Sequence, residues 1–154
     1  MRAGILVIFI FLAISLLFST SVAAQQGGDG TLLVNVVGLR NDRGVVNCAL
    51  YNSPIGFPRD DSKIFKSTSA HPESGRAACR FDGVPPGSYA VAILHDENAN
   101  GKMDTNIIGI PREGWGFSND APVRLGPPSF NAAGFPVQGS QTEIEIHARY
   151  WGRK

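Results

Sequence analysis

The sequence is poor in the residues from which most catalytic sites are built. Its 154 residues include only two cysteines and three histidines. The histidines are scattered, with no two at a metal-chelating spacing, so we do not expect a zinc site. The cysteines do not form a Cys-x-x-Cys redox pair, and no serine lies in the Gly-x-Ser-x-Gly motif of hydrolases. We therefore expect that the protein is not an enzyme.

An excess of charge of one sign is also lacking. Without a signal peptide at residues 1–24, the chain keeps 13 basic and 13 acidic residues, and it has no long run of Lys or Arg. Nucleic-acid binding depends on a basic surface that neutralises phosphates. The charge balance therefore predicts no nucleic-acid partner.

The N-terminus has the three parts of an export signal: Arg2, an apolar run over 5–18, and the small residues that precede a cleavage site after Ala24. The run is shorter than the ~20 residues of a membrane span. We predict a secreted or periplasmic protein with no membrane span after cleavage; an uncleaved N-terminal anchor is the alternative. Export to an oxidising space predicts a disulfide between Cys48 and Cys79, against the alternative of two buried thiols.

Short stretches that alternate apolar and polar residues predict strands, because side chains on a strand point to opposite faces in turn. They cover 31–39, 45–51, 76–81, 89–94 and 142–150, with a weaker element at 64–70. Turns rich in Gly, Pro, Asn and Asp separate them, and no segment shows helical spacing. We predict an all-β, antiparallel β-sandwich, Ig-like or transthyretin-like, with a long ordered loop after the fifth strand.

One domain accounts for the chain that follows the signal. The predicted organisation is a signal peptide at 1–24, a flexible leader at 25–30, a single β-sandwich domain at 31–150 and a C-terminal tail at 151–154.

The segment that follows the predicted strand 89–94 has oxygen ligands at the spacing of a calcium-binding loop. Side chains of Asp96, Asn98, Asn100 and Asp104, with the backbone carbonyl of Lys102, occupy alternating positions. A bidentate Glu is expected at the twelfth position, where an isoleucine stands, so we predict weak binding unless Glu113 or Asp120 completes the shell. The alternative is a β-hairpin turn at Asn100-Gly101 without a metal.

The segment 107–140 has little strand pattern but many glycines, prolines and aromatic residues. Long loops inside small domains are often functional. Four residues are candidates for contact with a ligand, the aromatic ones by stacking and the polar ones by hydrogen bonds: Arg112, Trp115, Phe117 and Asn119. The alternative is that the aromatic side chains form the loop's own small core.

Three motifs in fixed order, over 82–91, 95–104 and 109–119, together with Gly126-Pro127-Pro128-Ser129-Phe130, resemble the exported bacterial proteins of the domain of unknown function 2141 family. The Pro-Pro-Gly-x-Tyr entry to a strand is also similar, more weakly, to transthyretin-like and carboxypeptidase-regulatory-like domains. The resemblance implies a secreted β-sandwich with no established activity.

We expect a secreted, non-catalytic binding or structural module, stabilised by a weakly bound calcium ion. Its partner would be a small molecule, a glycan or an envelope protein. The alternatives are a hydrolase that uses 107–140 as a wall of its site, and a purely structural component of the envelope.

Overall fold

Two β-sheets face each other in the computed structural model, which describes residues 28–152. The strands are β1 (Gly30–Val37), β2 (Val45–Tyr51), β3 (Lys66–Ala70), β4 (Arg76–Val84), β5 (Gly87–Asp96), β6 (Gly114–Phe117), β7 (Phe135–Val137) and β8 (Gln141–His147). A short helix, α1 (Phe130–Ala133), precedes β7, and 3-10 turns lie at Asp61–Lys63 and Ser118–Asp120. The predicted signal peptide lies outside the described residues.

The smaller sheet has the strand order β4-β1-β8, and the larger has the order β3-β2-β5-β6, with β7 paired to the start of β5. This architecture confirms the predicted all-β sandwich. The strand pairs are antiparallel except for β1 and β8, which run parallel from Thr31 opposite Gln141 to Val37 opposite His147. A parallel pair cannot be joined by a tight hairpin, and β8 reaches β1 only after the chain has completed the larger sheet.

The core lies between the sheets because each strand turns its apolar side chains to the same face. Leu32 and Val34 of β1 and Val46 and Leu50 of β2 are fully buried there. The predicted disulfide is present in this core: Cys48 of β2 and Cys79 of β4 are joined, with their Cα atoms 6.5 Å apart. The disulfide therefore links the larger sheet to the smaller one.

The segment 107–140 is ordered, and it contains two strands that the sequence pattern did not indicate, β6 and β7. In β6, glycines alternate with Trp115 and Phe117, and glycine is depleted in strands. A Cβ on Gly114 would lie 2.6 Å from the ring of Tyr150, and one on Gly116 would lie 2.7 Å from Ile146. Because these two positions are glycines, β6 can pack closely against Ile146 and Tyr150.

A second apolar cluster covers part of the outer face of the larger sheet. Its buried members come from β2, β5 and the 107–140 segment: Tyr51, Ala90, Phe117, Ala121, Phe130 and Ala133. The ring of Phe57 packs edge-on against three of these aromatic rings, at centroid distances of 5.2 to 6.1 Å. The segment thus has a small core of its own. Within residues 28–152, no helix is long and apolar enough to cross a membrane.

Candidate functional site

The predicted cation loop, residues 96–104, begins where β5 ends. Asp96, the last residue of β5, is fully buried. Its carboxylate accepts hydrogen bonds from the backbone amides of Asn100, at 3.1 Å, and Gly101, at 2.7 Å. Gly101 has a φ of 80°, a conformation that glycine adopts without strain. The Asp96 carboxylate therefore holds the turn closed through the backbone amides of Asn100 and Gly101.

The other predicted cation ligands lie together in the same loop. The carboxylate of Asp104 accepts hydrogen bonds from the side-chain amides of Asn98, at 2.7 Å, and Asn100, at 3.0 Å. The backbone amide of Lys102 donates to Oδ1 of Asn100 at 3.0 Å. The Oδ1 atom of Asn98 likewise accepts from the backbone amide of Asn100, at 3.1 Å. An amide oxygen has two lone pairs, so each asparagine keeps one acceptor site that an ion could use.

Of the two carboxylates that could complete the shell, Glu113 folds back onto the loop and Asp120 does not. Glu113 is only 4% exposed, and its oxygens accept hydrogen bonds from the backbone amides of Glu97, at 3.0 Å, and Asp104, at 2.9 Å. Asp120 instead bonds to the backbone and ring of His147. Glu113 thus joins both ends of the cation loop.

Carboxylates alone do not make a metal site here. Across residues 28–152, no group of three or more His, Cys, Asp or Glu side chains is placed to hold a metal ion. A cation in the loop would depend on the amide oxygens of Asn98 and Asn100 and on the carbonyl of Lys102. Such a mixed set of oxygens is chemically suited to calcium.

The turn between β1 and β2 anchors the cation loop from outside. The Glu97 carboxylate accepts hydrogen bonds from Arg40, at 2.6 Å, and from Asn41, at 2.9 Å. Burial raises the pKa of the Glu97 carboxyl, but the hydrogen bonds from Asn41 and Arg40 and the charge of Arg40 outweigh it. The pKa of Glu97 is therefore lowered from its ordinary value, and the carboxylate keeps its charge and its partners at neutral pH.

Two side chains with catalytic potential are buried and bonded within the fold. Nε2 of His95 lies 2.9 Å from the backbone oxygen of Arg43, and Nδ1 lies 2.6 Å from the hydroxyl of Tyr150. Because a carbonyl oxygen only accepts, Nε2 carries a proton. The hydroxyl of Ser118, which is also fully buried, accepts from the amide of Val91. His95 and Ser118 therefore hold strands together.

An open cleft of about 820 Å³ crosses the outer face of the larger sheet. Its floor consists of outward-facing residues of β2, β5 and β6: Asn47, Ala49, Ala92, Leu94, Trp115 and Phe117. Three loop segments wall the cleft, around 58–64, 101–103 and 123–127, and Trp151 also belongs to the lining. The middle segment belongs to the cation loop, but of the five predicted cation ligands only Lys102 lines the cleft.

The four predicted ligand contacts are split by the fold. Trp115 is partly buried on the cleft floor, and Phe117 lines the cleft from the second apolar cluster with 8% of its surface exposed. Arg112 and Asn119 are exposed and lie outside the cleft lining. The Asn119 side chain donates a hydrogen bond of 2.6 Å to the carbonyl of Gly134, just after α1.

Sequence reasoning missed the strand residues of the cleft, because the outward face of an antiparallel strand is usually solvated. The available signal was the small size of Ala49 and Ala92, which are register partners at the centre of the floor. Ser67 and Ser69 of β3 continue the face with hydroxyl groups, and the Ser69 hydroxyl donates to Oδ1 of Asn47 at 2.7 Å. Small side chains in the middle of a sheet face leave room for a ligand.

Trp115 has an unsatisfied polar atom. Its indole Nε1 is buried and has no hydrogen-bond acceptor among the residues that the structure describes. Buried N–H groups without an acceptor are uncommon and destabilising. The indole therefore lines the cleft and carries a buried donor without a partner among these residues.

The model of the family described as "Uncharacterized protein conserved in bacteria (DUF2141)" matches residues 34–145, which run from β1 to β8. The chain belongs to this family. The match spans every motif on which the resemblance was based, and it includes the cation loop and the strands that form the cleft floor. For DUF2141 itself, the description names no activity or ligand.

Two solved structures resemble this DUF2141 chain at low identity. A protein from Pseudomonas aeruginosa described as a putative carbohydrate binding protein is 15% identical, with a TM-score of 0.37 over 81% of this chain and 92% of the other. The pilus-presented adhesin Spy0125 (Cpa) is 13% identical, with a TM-score of 0.24 over 82% of this chain and 28% of the adhesin. No curated protein matches the DUF2141 chain significantly.

Proposed function

We propose that the protein is an exported, non-catalytic binding module whose ligand lies in the cleft on the larger sheet, against Trp115. The observation that carries this proposal is the cleft itself, with a volume of about 820 Å³. Binding sites of this size combine an apolar surface with a few polar groups. The disulfide between Cys48 and Cys79 is compatible with export to an oxidising space.

The ligand class that fits the lining is a hydroxylated ring with one apolar face, as in a small polar molecule or a glycan. Ala49 and Ala92 keep the floor low, and the indole of Trp115 offers a flat apolar face beside them. Ser67, Ser69 and Asn47 supply hydroxyl and amide groups along one side. Stacking on the indole with hydrogen bonds at the edge would orient such a ring.

The proposal is tested by filling the cleft. Ala92→Trp places a large side chain on the floor, and Ala78→Trp is the matched control, because Ala78 is exposed on the opposite face of the sandwich. Binding of mono- and oligosaccharides and short peptides would be screened by NMR. We expect a ligand that binds wild type and Ala78→Trp, and binds Ala92→Trp at least tenfold more weakly (about 1.4 kcal/mol).

Two further assays distinguish the alternatives. Turnover of an ester or glycoside panel that is lost in Ala92→Trp would indicate a hydrolase. A protein that binds no compound but crosslinks to one envelope protein would indicate a structural component. Either result would replace the binding-module proposal.

We also propose that the cation loop takes a calcium ion with a Kd of about 10⁻⁴ to 10⁻³ M, the range of extracellular modules. The support is the gathering of Asp96, Asn98, Asn100, Lys102 and Asp104 in one loop, with Glu113 folded back behind it. The ion would rigidify the wall of the cleft that residues 101–103 form.

Calcium binding is tested by thermal unfolding with and without millimolar calcium. A ligand that binds only the native state raises Tm. Asp96→Ala should abolish the rise, and so should Asp104→Asn, which keeps the side-chain shape but removes the charge. An equal rise with magnesium, or a rise that survives both substitutions, would contradict the proposal.

A further inference from the structure

Four large apolar side chains are strongly exposed beside the mouth of the cleft. Ile107 and Leu125 are fully exposed, at 104% and 107% of their reference areas, and Ile108 and Trp151 are more than half exposed. A single exposed apolar residue is ordinary on a protein surface, whereas several around one opening mark an interaction site.

The chain path places these residues on the rim. Ile107 and Ile108 occupy the tip of a short hairpin whose two stems, at Met103 and Pro111, line the cleft and are bridged through Thr105. The backbone amide of Asn106 donates to the oxygen of Ile110 at 2.9 Å, which closes the tip.

The second tip lies on another wall. Leu125 stands between Arg124 and Gly126, both of which line the cleft, and Trp151 is itself a lining residue. The apolar tips therefore come from separate loops that share one opening.

The charged residues of the same lining are mostly basic. Arg59, Lys102 and Arg124 line the cleft, and Asp61 is the acidic residue among the lining residues. Three cations with projecting aliphatic side chains nearby are complementary to an anionic lipid surface, where the cations meet phosphate groups and the aliphatic tips enter the acyl boundary.

We propose that the rim of the cleft docks on a membrane that contains anionic lipids, with Ile107 and Leu125 inserted and Lys102 and Arg124 on phosphate groups. A protein partner needs a continuous interface of about 1,000 Å² or more. The apolar residues here stand on separate turns, which suits insertion of single side chains. This proposal goes beyond the binding of a ligand on the cleft floor and does not rest on it.

The test is co-sedimentation of the exported protein with vesicles of phosphatidylcholine, with and without phosphatidylglycerol. Wild type should bind the anionic vesicles, and added salt should weaken the binding. Ile107→Asp together with Leu125→Asp should lower the partition coefficient by about thirtyfold or more. Each substitution removes an inserted apolar side chain and adds a negative charge, which the anionic lipids repel. Lys102→Gln with Arg124→Gln should lower the partition coefficient by about thirtyfold, and only on anionic vesicles.

The matched control is Ala78→Asp, which adds a charge on the exposed face of β4 and should bind vesicles as wild type does. Ala92→Trp, which fills the cleft floor, should also keep vesicle binding. The ligand proposal and the membrane proposal can therefore fail independently of each other. Absence of binding to anionic vesicles, or binding that Ile107→Asp with Leu125→Asp leaves unchanged, would overturn the proposal. Self-association that these two substitutions abolish would assign the tips to a second copy instead.

Discussion

Glu113 shows how one buried side chain organises a loop that ends nine residues before it in the sequence. Its carboxylate holds the backbone amides of Glu97 and Asp104, the two residues that flank the turn. The sequence indicated Glu113 only as one of two carboxylates that could fold back. The sequence alone did not distinguish it from Asp120. In the folded chain Asp120 instead bonds to His147, away from the cation loop.

Replacing Glu113 by Gln should destabilise the protein by about 1–3 kcal/mol, because an amide nitrogen would face one of the two backbone donors and leave it buried without an acceptor. Urea unfolding gives the free energy, and amide hydrogen exchange at Glu97 and Asp104 should become faster. Glu73→Gln, in an exposed turn, is the control and should change neither quantity. Wild-type exchange rates in Glu113→Gln would show that these hydrogen bonds do not hold the loop.

The stability of the protein should depend on pH through the carboxyl group of Glu97. The pKa of its carboxyl is lower in the folded protein than its ordinary value of 4.5, so the folded state binds its proton less readily than the unfolded state. The resulting stability is present above that ordinary value and is lost as the pH falls through the lower, folded pKa. We expect Tm to fall more steeply with acid below about pH 4.5 in wild type than in Glu97→Gln. Parallel curves for the two proteins would show that the Arg40 and Asn41 contacts add no pH-dependent stability.

At the scale of elements, the strands with clean alternation were predicted well and the glycine-rich ones were not. The range predicted for β2, 45–51, is the one observed, because its inward residues are apolar and its flanks are turns. The sequence of β6 does not show the alternation of a strand, since Gly114 and Gly116 stand where apolar residues are expected. Their role depends on Tyr150 and Ile146, which come close only in the folded chain.

Gly116→Ala should therefore destabilise the protein by about 1–3 kcal/mol through overpacking. The added Cβ would lie 2.7 Å from a methyl group of Ile146 and 3.1 Å from the backbone oxygen of His147. Gly28→Ala is the control, because a Cβ there meets nothing within 4 Å. Urea unfolding compares the two variants, and equal stability would mean that β6 has room to move away from β8.

At the scale of the whole molecule, the disulfide is the covalent link between the two sheets. Cys48 and Cys79 are separated by 31 positions in sequence. In the alternating pattern of their strands, both cysteines fall at apolar, inward-facing positions, which the sequence shows. That they lie opposite each other follows from the packing of β2 over β4.

Substituting both cysteines by Ser should lower the free energy of unfolding by roughly 3–4 kcal/mol, the chain-entropy value for a loop of this length. Urea unfolding of the double variant should match that of wild type under reducing conditions, and Cys48→Ser alone should be as unstable as the double variant. A double variant as stable as the oxidised protein would show that the sheets are held by packing alone.

The alternation of apolar residues, the turn residues and the two cysteines by themselves determined the sandwich, most of its strands and the disulfide, because these follow from local periodicity and from covalent chemistry. They also located the predicted cation loop, whose proposed ligands are close in sequence. The cleft was decided by tertiary structure. Ala49, Ala92, Trp115 and the segment 123–127 are distant in the chain, and a concave surface exists only when the pairing of β2, β5 and β6 brings such residues side by side.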